Sequence, residues 1–204
     1  MIPVYILGAL IAYLIGSISP SLIISKIKNK DIRSFGSKNL GASNTAILLG
    51  WKLGVLVGFL DILKGVIPVL LAGILLPEYT YLPFVVATAA VLGHIFPFYL
   101  KFKGGKGFAT FLGASLGLDW RFFLGMVLVI VLVTLIFDYI AIATLTACIS
   151  LPIYTGMINH NIIPALIVGI ASLVIIGKHL VNIKRIAKRE EIGFRAMLSK
   201  KHNI

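Results

Sequence analysis

Apolar residues run along this chain in long unbroken stretches rather than in helical stripes. The runs are roughly Pro3 to Ile27, Leu53 to Leu76, Tyr81 to Leu100, Phe108 to Leu118, Phe122 to Phe137, Tyr139 to Ile158 and Ile162 to Gly177. A helix that is apolar on every side faces lipid or other helices all round. Most of these runs approach the ~20 residues that a helix needs to cross a bilayer. The fourth is short: as a helix it covers only about 16 Å, and by length alone a re-entrant segment fits it as well as a crossing. Composition points the same way. Hydrophobic residues make up 59% of the chain and charged residues 13%, with a mean hydropathy of +1.03. A soluble domain carries about 45–50% and about 25% respectively. The pattern predicts one all-α, polytopic membrane domain over residues 1–204. No segment is long enough for a soluble domain, and no internal repeat suggests an inverted-topology transporter.

The net charge of +12 does not indicate a nucleic-acid partner, because the charges cluster in loops and in the tail, as cytoplasmic flanks of membrane spans do. Lys26 to Lys38 carries five basic residues and one acid, and the loop at Glu78 carries no base. Lys101, Lys103 and Lys106 follow, then the neutral pair Asp119 and Arg121, and the tail from Lys178 holds eight basic residues. Counting the fourth run as a crossing leaves only Arg121 on the opposite face; omitting it places the basic tail outside, against the positive-inside rule. The expectation is therefore seven transmembrane helices, with the N-terminus outside and the C-terminus in the cytoplasm. The tail, about 184–204, is expected on the inner surface, drawn to anionic lipid. The N-terminus lacks a basic region and a small-residue cleavage site, so the first run reads as a retained span. Cys148, the sole cysteine, lies in an apolar run and reads as a buried structural thiol. No metal-ligand cluster is present in the sequence, and no metal or cofactor is expected.

Two polar stretches interrupt the hydrocarbon, S-F-G-S-K-N-L-G-A-S-N from Ser34 to Asn44 and K-F-K-G-G-K-G from Lys101 to Gly107. Glycines let backbone N–H groups close on an anion, and lysines supply charge. Together the two stretches suggest a membrane protein that handles phosphates. The first offers Ser37, Lys38, Asn39, Gly41, Ser43 and Asn44, and either Ser43 or Asn44 is suited to N-cap a following helix. A solvated loop with ordinary turn residues fits its composition equally well. The second, with Gly104, Gly105 and Lys106, is not a Walker A motif, because glycine rather than Ser or Thr follows the lysine; a positive-inside flank fits it as well. Asp61 and Lys64 stand three apart inside the second run, on one helix face. An ionisable pair there points to function, and structural support near the site is favoured. His94 reads as a hydrogen-bonded packing residue at a helix end. His179 and Asn182, three apart, share a face at the depth of the glycine loops. His160 and His202 read as incidental.

Taken together, these residues resemble the PlsY family of bacterial integral-membrane acyltransferases, which move a fatty acyl group from acyl phosphate to glycerol 3-phosphate. The resemblance runs nearly end to end. The family pattern D-x-R-x-x-G-S-G-N-x-G-A-T-N is similar to D-I-R-S-F-G-S-K-N-L-G-A-S-N at Asp31 to Asn44. L-D-x-x-K-G is matched at Leu60 to Gly65, and G-H-x-x-P with F-K-G-G-K-G at Gly93 to Pro97 and Phe102 to Gly107. H-x-x-N-I-x-R with a later Glu is matched at His179 to Arg185 and Glu191. The resemblance implies a phosphate clamp built from the motif loops and an apolar groove for the acyl chain. It implies catalytic roles for Ser37, Lys106, His179 and Asn182, and phosphate binding by Lys38, Asn39, Gly41, Ser43, Asn44, Gly104, Gly105 and Thr144. Asp61, Lys64, His94 and Glu191 become supporting residues. It further implies the bacterial inner membrane, a cytoplasmic active site, and a soluble partner enzyme that makes the acyl phosphate.

The departures are specific. Ser43 replaces Thr, and Lys38 replaces the Gly of G-S-G-N. Ile47 stands where the family has an arginine of the phosphate clamp, and a serine-rich stretch becomes Ala141, Ile142, Ala143, Thr144. Lys38 or Lys52 is then the candidate for the missing charge. An acyl phosphate is already activated, so the reaction needs no serine or cysteine nucleophile. His179 or the donor's own phosphate oxygen takes the acceptor proton, and backbone N–H groups hold the oxyanion. No histidine has an aspartate five residues later, which argues against the H-x-x-x-x-D class of glycerolipid acyltransferases. Two other readings compete: a transporter for an anionic solute, and an inactive or altered-acceptor paralogue.

Overall fold

The computed structural model describes residues 1–199. In chain order its helices are α1 (Ile2–Ser17), α2 (Pro20–Ile27), α3 (Ala42–Leu49), α4 (Trp51–Leu75), α5 (Leu82–Ile95), α6 (Phe108–Leu118), α7 (Trp120–Phe137), α8 (Ile140–Ile158), α9 (Ile162–Ala187) and α10 (Phe194–Ser199), with a 3-10 turn at Phe98–Leu100. There is no strand among the described residues. Six segments are long and apolar enough to cross a membrane: Ile2–Ile27, Trp51–Leu75, Leu82–Leu100, Trp120–Phe137, Ile140–Ile158 and Ile162–Ala187. The seventh apolar helix, α6, is the shorter one that the fourth run anticipates.

Three details depart from the run boundaries. The first run is broken into α1 and α2, because Pro20 supplies no N–H and Ser19 caps α2, its hydroxyl accepting from the Leu22 N–H. Backbone groups freed by such a break must find partners inside the protein when no water is near. Here the Tyr99 hydroxyl donates to the Ser17 carbonyl at 2.6 Å, and the Lys64 ammonium to the Ile18 carbonyl at 2.8 Å. The last run extends past Gly177 to Ala187, so His179, Asn182 and the first residues of the basic tail are helical. Finally, the helix expected after Ser43 or Asn44 is a separate short one, α3, that begins at Ala42 and ends at Leu49 before α4.

The chain packs as two compact units, one of Met1–Trp120 and one from Arg121 onward. In the first, α1 lies on α5, and α4 on α3, α5 and α6. Small residues make these approaches possible, as membrane helices require. A Cβ at Gly65 would collide with the Thr110 carbonyl, and one at Gly113 with the Ile62 carbonyl. Ala12, Val69, Ala72, Leu82, Val86, Ala87, Ala90 and Ala114 fill the space between.

In the second unit α8 packs on α9, and Phe122 of α7 stacks on Tyr154 of α8 at 4.2 Å between ring centroids. Most of α7 is exposed apolar surface, including Leu124, Leu128, Leu132 and Ile136, as a lipid-facing helix would be. The start of α10 is fastened to the end of α7 and the α7–α8 turn. The Phe194 N–H donates to the Asp138 carbonyl at 2.7 Å, the Arg195 N–H to Asp138 Oδ1 at 2.8 Å, and the Arg195 guanidinium to the Leu135 carbonyl at 2.7 Å. His202 lies outside the described residues.

Candidate functional site

The first polar loop is organised around one side chain. Asn44 is 1% exposed. Its Oδ1 accepts the Ser37 N–H at 3.0 Å, and its Nδ2 donates to the Ile32 carbonyl at 3.0 Å and the Phe35 carbonyl at 3.1 Å. Both amide hydrogens are thereby committed, leaving none to donate to an anion. Asn44 builds the loop rather than binding phosphate in it. Its position also differs from the expected cap: Gly41 is the N-cap of α3, with no side-chain capping bond, and Ser43 and Asn44 lie in the first turn. Gly41 has φ −160°, ordinary extended backbone. Its carbonyl takes both the N–H and the hydroxyl of Thr45, each at 3.0 Å. Ser37, Lys38 and Ser43 are exposed and Asn39 is half-buried. Lys38 has φ +57°, in the left-handed region that glycine enters without penalty and other residues enter at about 1 kcal/mol or more. At the loop's start, the exposed Asp31 carboxylate accepts the Arg33 N–H at 3.0 Å and its guanidinium Nε at 3.2 Å. These bonds hold the carboxyl below its ordinary value.

The second loop is seated on the end of α5. The Gly104 N–H donates to the Ile95 carbonyl at 3.0 Å and the Gly105 N–H to the His94 carbonyl at 3.1 Å. These two amides are therefore not donors to a phosphate, as the glycine-loop reading expects. Their contribution is closeness. A Cβ on Gly105 would collide with the His94 ring and fall 2.6 Å from the carbonyl oxygen of Leu40. Leu40 belongs to the first loop, so the two polar stretches, separated by sixty-odd residues in the chain, meet within the first unit. Lys106 is half-buried directly after this contact.

Beneath the loops lies a buried polar chain. Asp61 Oδ1 is 2.8 Å from Lys64 Nζ and 3.4 Å from His94 Nδ1, and the same His94 nitrogen is 3.2 Å from Thr110 Oγ1. All four residues are buried. The pair at Asp61 and Lys64 is thus joined to α5, to α6 and, through the Ile18 carbonyl, to the break in the first span.

In the second unit, His179 and Asn182 are buried on one face of α9. His179 Nδ1 lies 2.9 Å from the Ile175 carbonyl, which accepts its proton and places the ring's lone pair on Nε2. Asn182 Nδ2 donates to Glu191 Oε1 at 2.6 Å. Thr144 is fully buried, and its hydroxyl donates to the Ile140 carbonyl at 3.0 Å within α8. A hydroxyl so enclosed, with its hydrogen held by its own helix, is not a phosphate donor in this conformation.

Three contributors show their purpose only in the fold. Gly36 has φ +55°, and a Cβ there would collide with Asn44 Oδ1. Thr45 and Thr110 are hydroxyls whose partners become visible only in three dimensions. Ile47, on α3, is 47% exposed. No group of three or more metal-ligating side chains occurs among the described residues.

Residues 6–189 match the family model described as glycerol-3-phosphate acyltransferase. Glycerol-3-phosphate acyltransferase 1 of Oceanobacillus iheyensis is 38% identical over 205 residues, which cover 97% of this chain and 98% of that protein. Glycerol-3-phosphate acyltransferase 2 of Bacillus anthracis is 43% identical over 188 residues, covering 91% and 97%. Among solved structures, the glycerol 3-phosphate form of PlsY (YgiH), an integral membrane glycerol 3-phosphate acyltransferase, superposes with a TM-score of 0.87 at 36% identity, over 93% of this chain and 95% of that one. Its lysophosphatidic acid form gives 0.85 at 35%, over 95% and 98%.

Proposed function

The chain belongs to the glycerol-3-phosphate acyltransferase family, and we propose on that premise that it transfers a fatty acyl group from acyl phosphate to glycerol 3-phosphate, giving 1-acyl-glycerol 3-phosphate and phosphate. The acceptor hydroxyl oxygen forms a bond to the acyl carbonyl carbon. The bond from that carbon to the phosphate oxygen breaks, and the phosphate leaves with the electron pair. Donor, acceptor and leaving group are all anionic, which suits basic loops carrying neutral donors.

The observation that carries this reading is the meeting of the two glycine-rich loops at Leu40 and Gly105. It brings the loops that carry Ser37, Lys38, Asn39, Ser43 and Lys106 together within the first unit. Lys106 and Lys38 are the charges for phosphate, and Ser37, Asn39 and Ser43 the neutral donors. Gly41, Gly104 and Gly105 give close backbone approach, and Asn44 fixes the loop. Within the second unit, we assign His179, with its lone pair at Nε2, the part of proton acceptor, and Asn182, bonded to Glu191, that of a hydroxyl-orienting donor. The transporter reading loses ground at the broken first span. There the freed Ile18 carbonyl and the Asp61 carboxylate, the groups that would hold the coupling cation of an anion transporter, are already joined to Lys64.

The setting we infer is the bacterial cytoplasmic membrane, with the loops and C-terminus inside, where a soluble enzyme supplies acyl phosphate. The test is purified protein with acyl phosphate and labelled glycerol 3-phosphate. The expected result is 1-acyl-glycerol 3-phosphate and phosphate in equal amounts, with at least about a tenfold loss in Ser37→Ala and in Lys106→Ala, the scale of a charge-assisted hydrogen bond. No product from folded wild-type protein would overturn the reading.

A further inference from the structure

The buried chain from Lys64 to Thr110 exceeds what charge neutralisation requires. Lys64 alone pairs Asp61 at 2.8 Å. Yet the same carboxylate oxygen also faces His94 Nδ1 at 3.4 Å, and Thr110 Oγ1 approaches that nitrogen at 3.2 Å. At that nitrogen the imidazole is hydrogen-bonded to Thr110 of α6 and lies beside the Asp61 carboxylate of α4. Its opposite edge, at Nε2, occupies the place where a Cβ on Gly105 would fall. The backbone of the same residue completes the seat, since the His94 and Ile95 carbonyls accept the Gly105 and Gly104 amides. Gly104 and Gly105 themselves carry no side chain at this contact. Their position is set by what they rest on.

We propose that Asp61 and His94 are positioning residues: hydrogen-bonded to Thr110 and set beside the Asp61 carboxylate, the His94 ring is the rigid floor that presses Gly105 against the Leu40 carbonyl and so fixes where Lys106 meets the substrate phosphate. This rests on the phosphate role of Lys106 given above. A floor of this kind acts mainly through Lys106, which directly follows Gly105. A ring that only fills space would affect stability whether or not Lys106 were present.

The experiment is a double-substitution cycle with His94→Leu and Lys106→Ala, read as kcat/KM for glycerol 3-phosphate, with hydrogen exchange followed over residues 98–108. Displacing a binding group by a fraction of an ångström to an ångström costs about tenfold to a hundredfold. We expect His94→Leu to lower kcat/KM at least about tenfold in the parent, and by less than about twofold in Lys106→Ala. We expect faster exchange at Gly104 and Gly105. Thr110→Val, a milder change to the same support, carries the same readouts if His94→Leu does not fold. A penalty that repeats in full in the Lys106→Ala background, or exchange left unchanged, overturns the proposal. Wild-type kinetics in Lys106→Ala alone, with exchange at Gly105 still accelerated by His94→Leu, would overturn the phosphate reading and leave the positioning intact.

Discussion

Replacing Asn44 by alanine should release the first loop while leaving the helices in place. The substitution removes three hydrogen bonds, to the Ser37 N–H and to the carbonyls of Ile32 and Phe35. At about 1 kcal/mol net for each, the closed loop loses about 3 kcal/mol relative to an open one, or about a hundredfold in the opening equilibrium. The change falls outside the spans, so the thermal midpoint in detergent should move little. Hydrogen exchange at residues 32–37 should accelerate by up to about a hundredfold, and the Ser37 amide reports the lost bond directly. Acyl transfer should fall at least about tenfold. Asn44→Asp should be no better. It keeps an acceptor for Ser37 but turns a second acceptor toward the Ile32 and Phe35 carbonyls, a buried repulsion. If Asn44 instead bound phosphate, alanine would raise the acceptor KM without changing exchange in the absence of substrate. That outcome would refute the assignment of Asn44 as the loop's organiser.

Gly105→Ala should abolish activity in membrane-inserted protein, since the added Cβ meets both the His94 ring and the Leu40 carbonyl; activity within about threefold of wild type would show that the loops do not meet there. Lys38→Gly should stabilise the protein by about 1 kcal/mol by relieving the positive φ. If Lys38 also supplies the charge missing at Ile47, that variant should bind glycerol 3-phosphate at least about tenfold more weakly, and Ile47→Arg should restore binding; unchanged acceptor KM in Lys38→Gly would dismiss the compensation. Because Cys148 is buried, impermeant thiol reagents applied to intact cells should label a cysteine introduced at His160 and spare one introduced at Lys188; the reverse pattern would invert the proposed topology.

Gly36 shows how a glycine can be visible in the sequence and silent as to purpose. Its positive φ and its contact with Asn44 depend on where the chain turns, eight residues before that asparagine. The same holds for Gly104 and Gly105. A basic glycine-rich stretch reads as a nest of N–H donors, yet in the fold those amides bond to the end of α5. Thr144 is the converse case, a hydroxyl in the expected run whose hydrogen its own helix takes.

What the sequence determined by itself is what water and lipid dictate without reference to neighbours. The seven apolar runs become apolar helices, the first of them broken at Pro20, because a backbone in hydrocarbon must bond to itself. The polar stretches between them mark the chemistry, and the motif order is enough to place the family. What only the tertiary structure decided is which polar group answers which. Asp61, His94 and Thr110 lie on three helices and carry no local pattern that links them. Leu40 and Gly105 meet because α4, α5 and α6 pack through residues too small to keep their backbones apart. Hydrophobicity acts on each segment separately and is written along the chain. Hydrogen-bond pairing among buried groups is settled only when distant segments close on one another, and at this site that pairing marks out the groups that build the loops from those proposed to meet a phosphate.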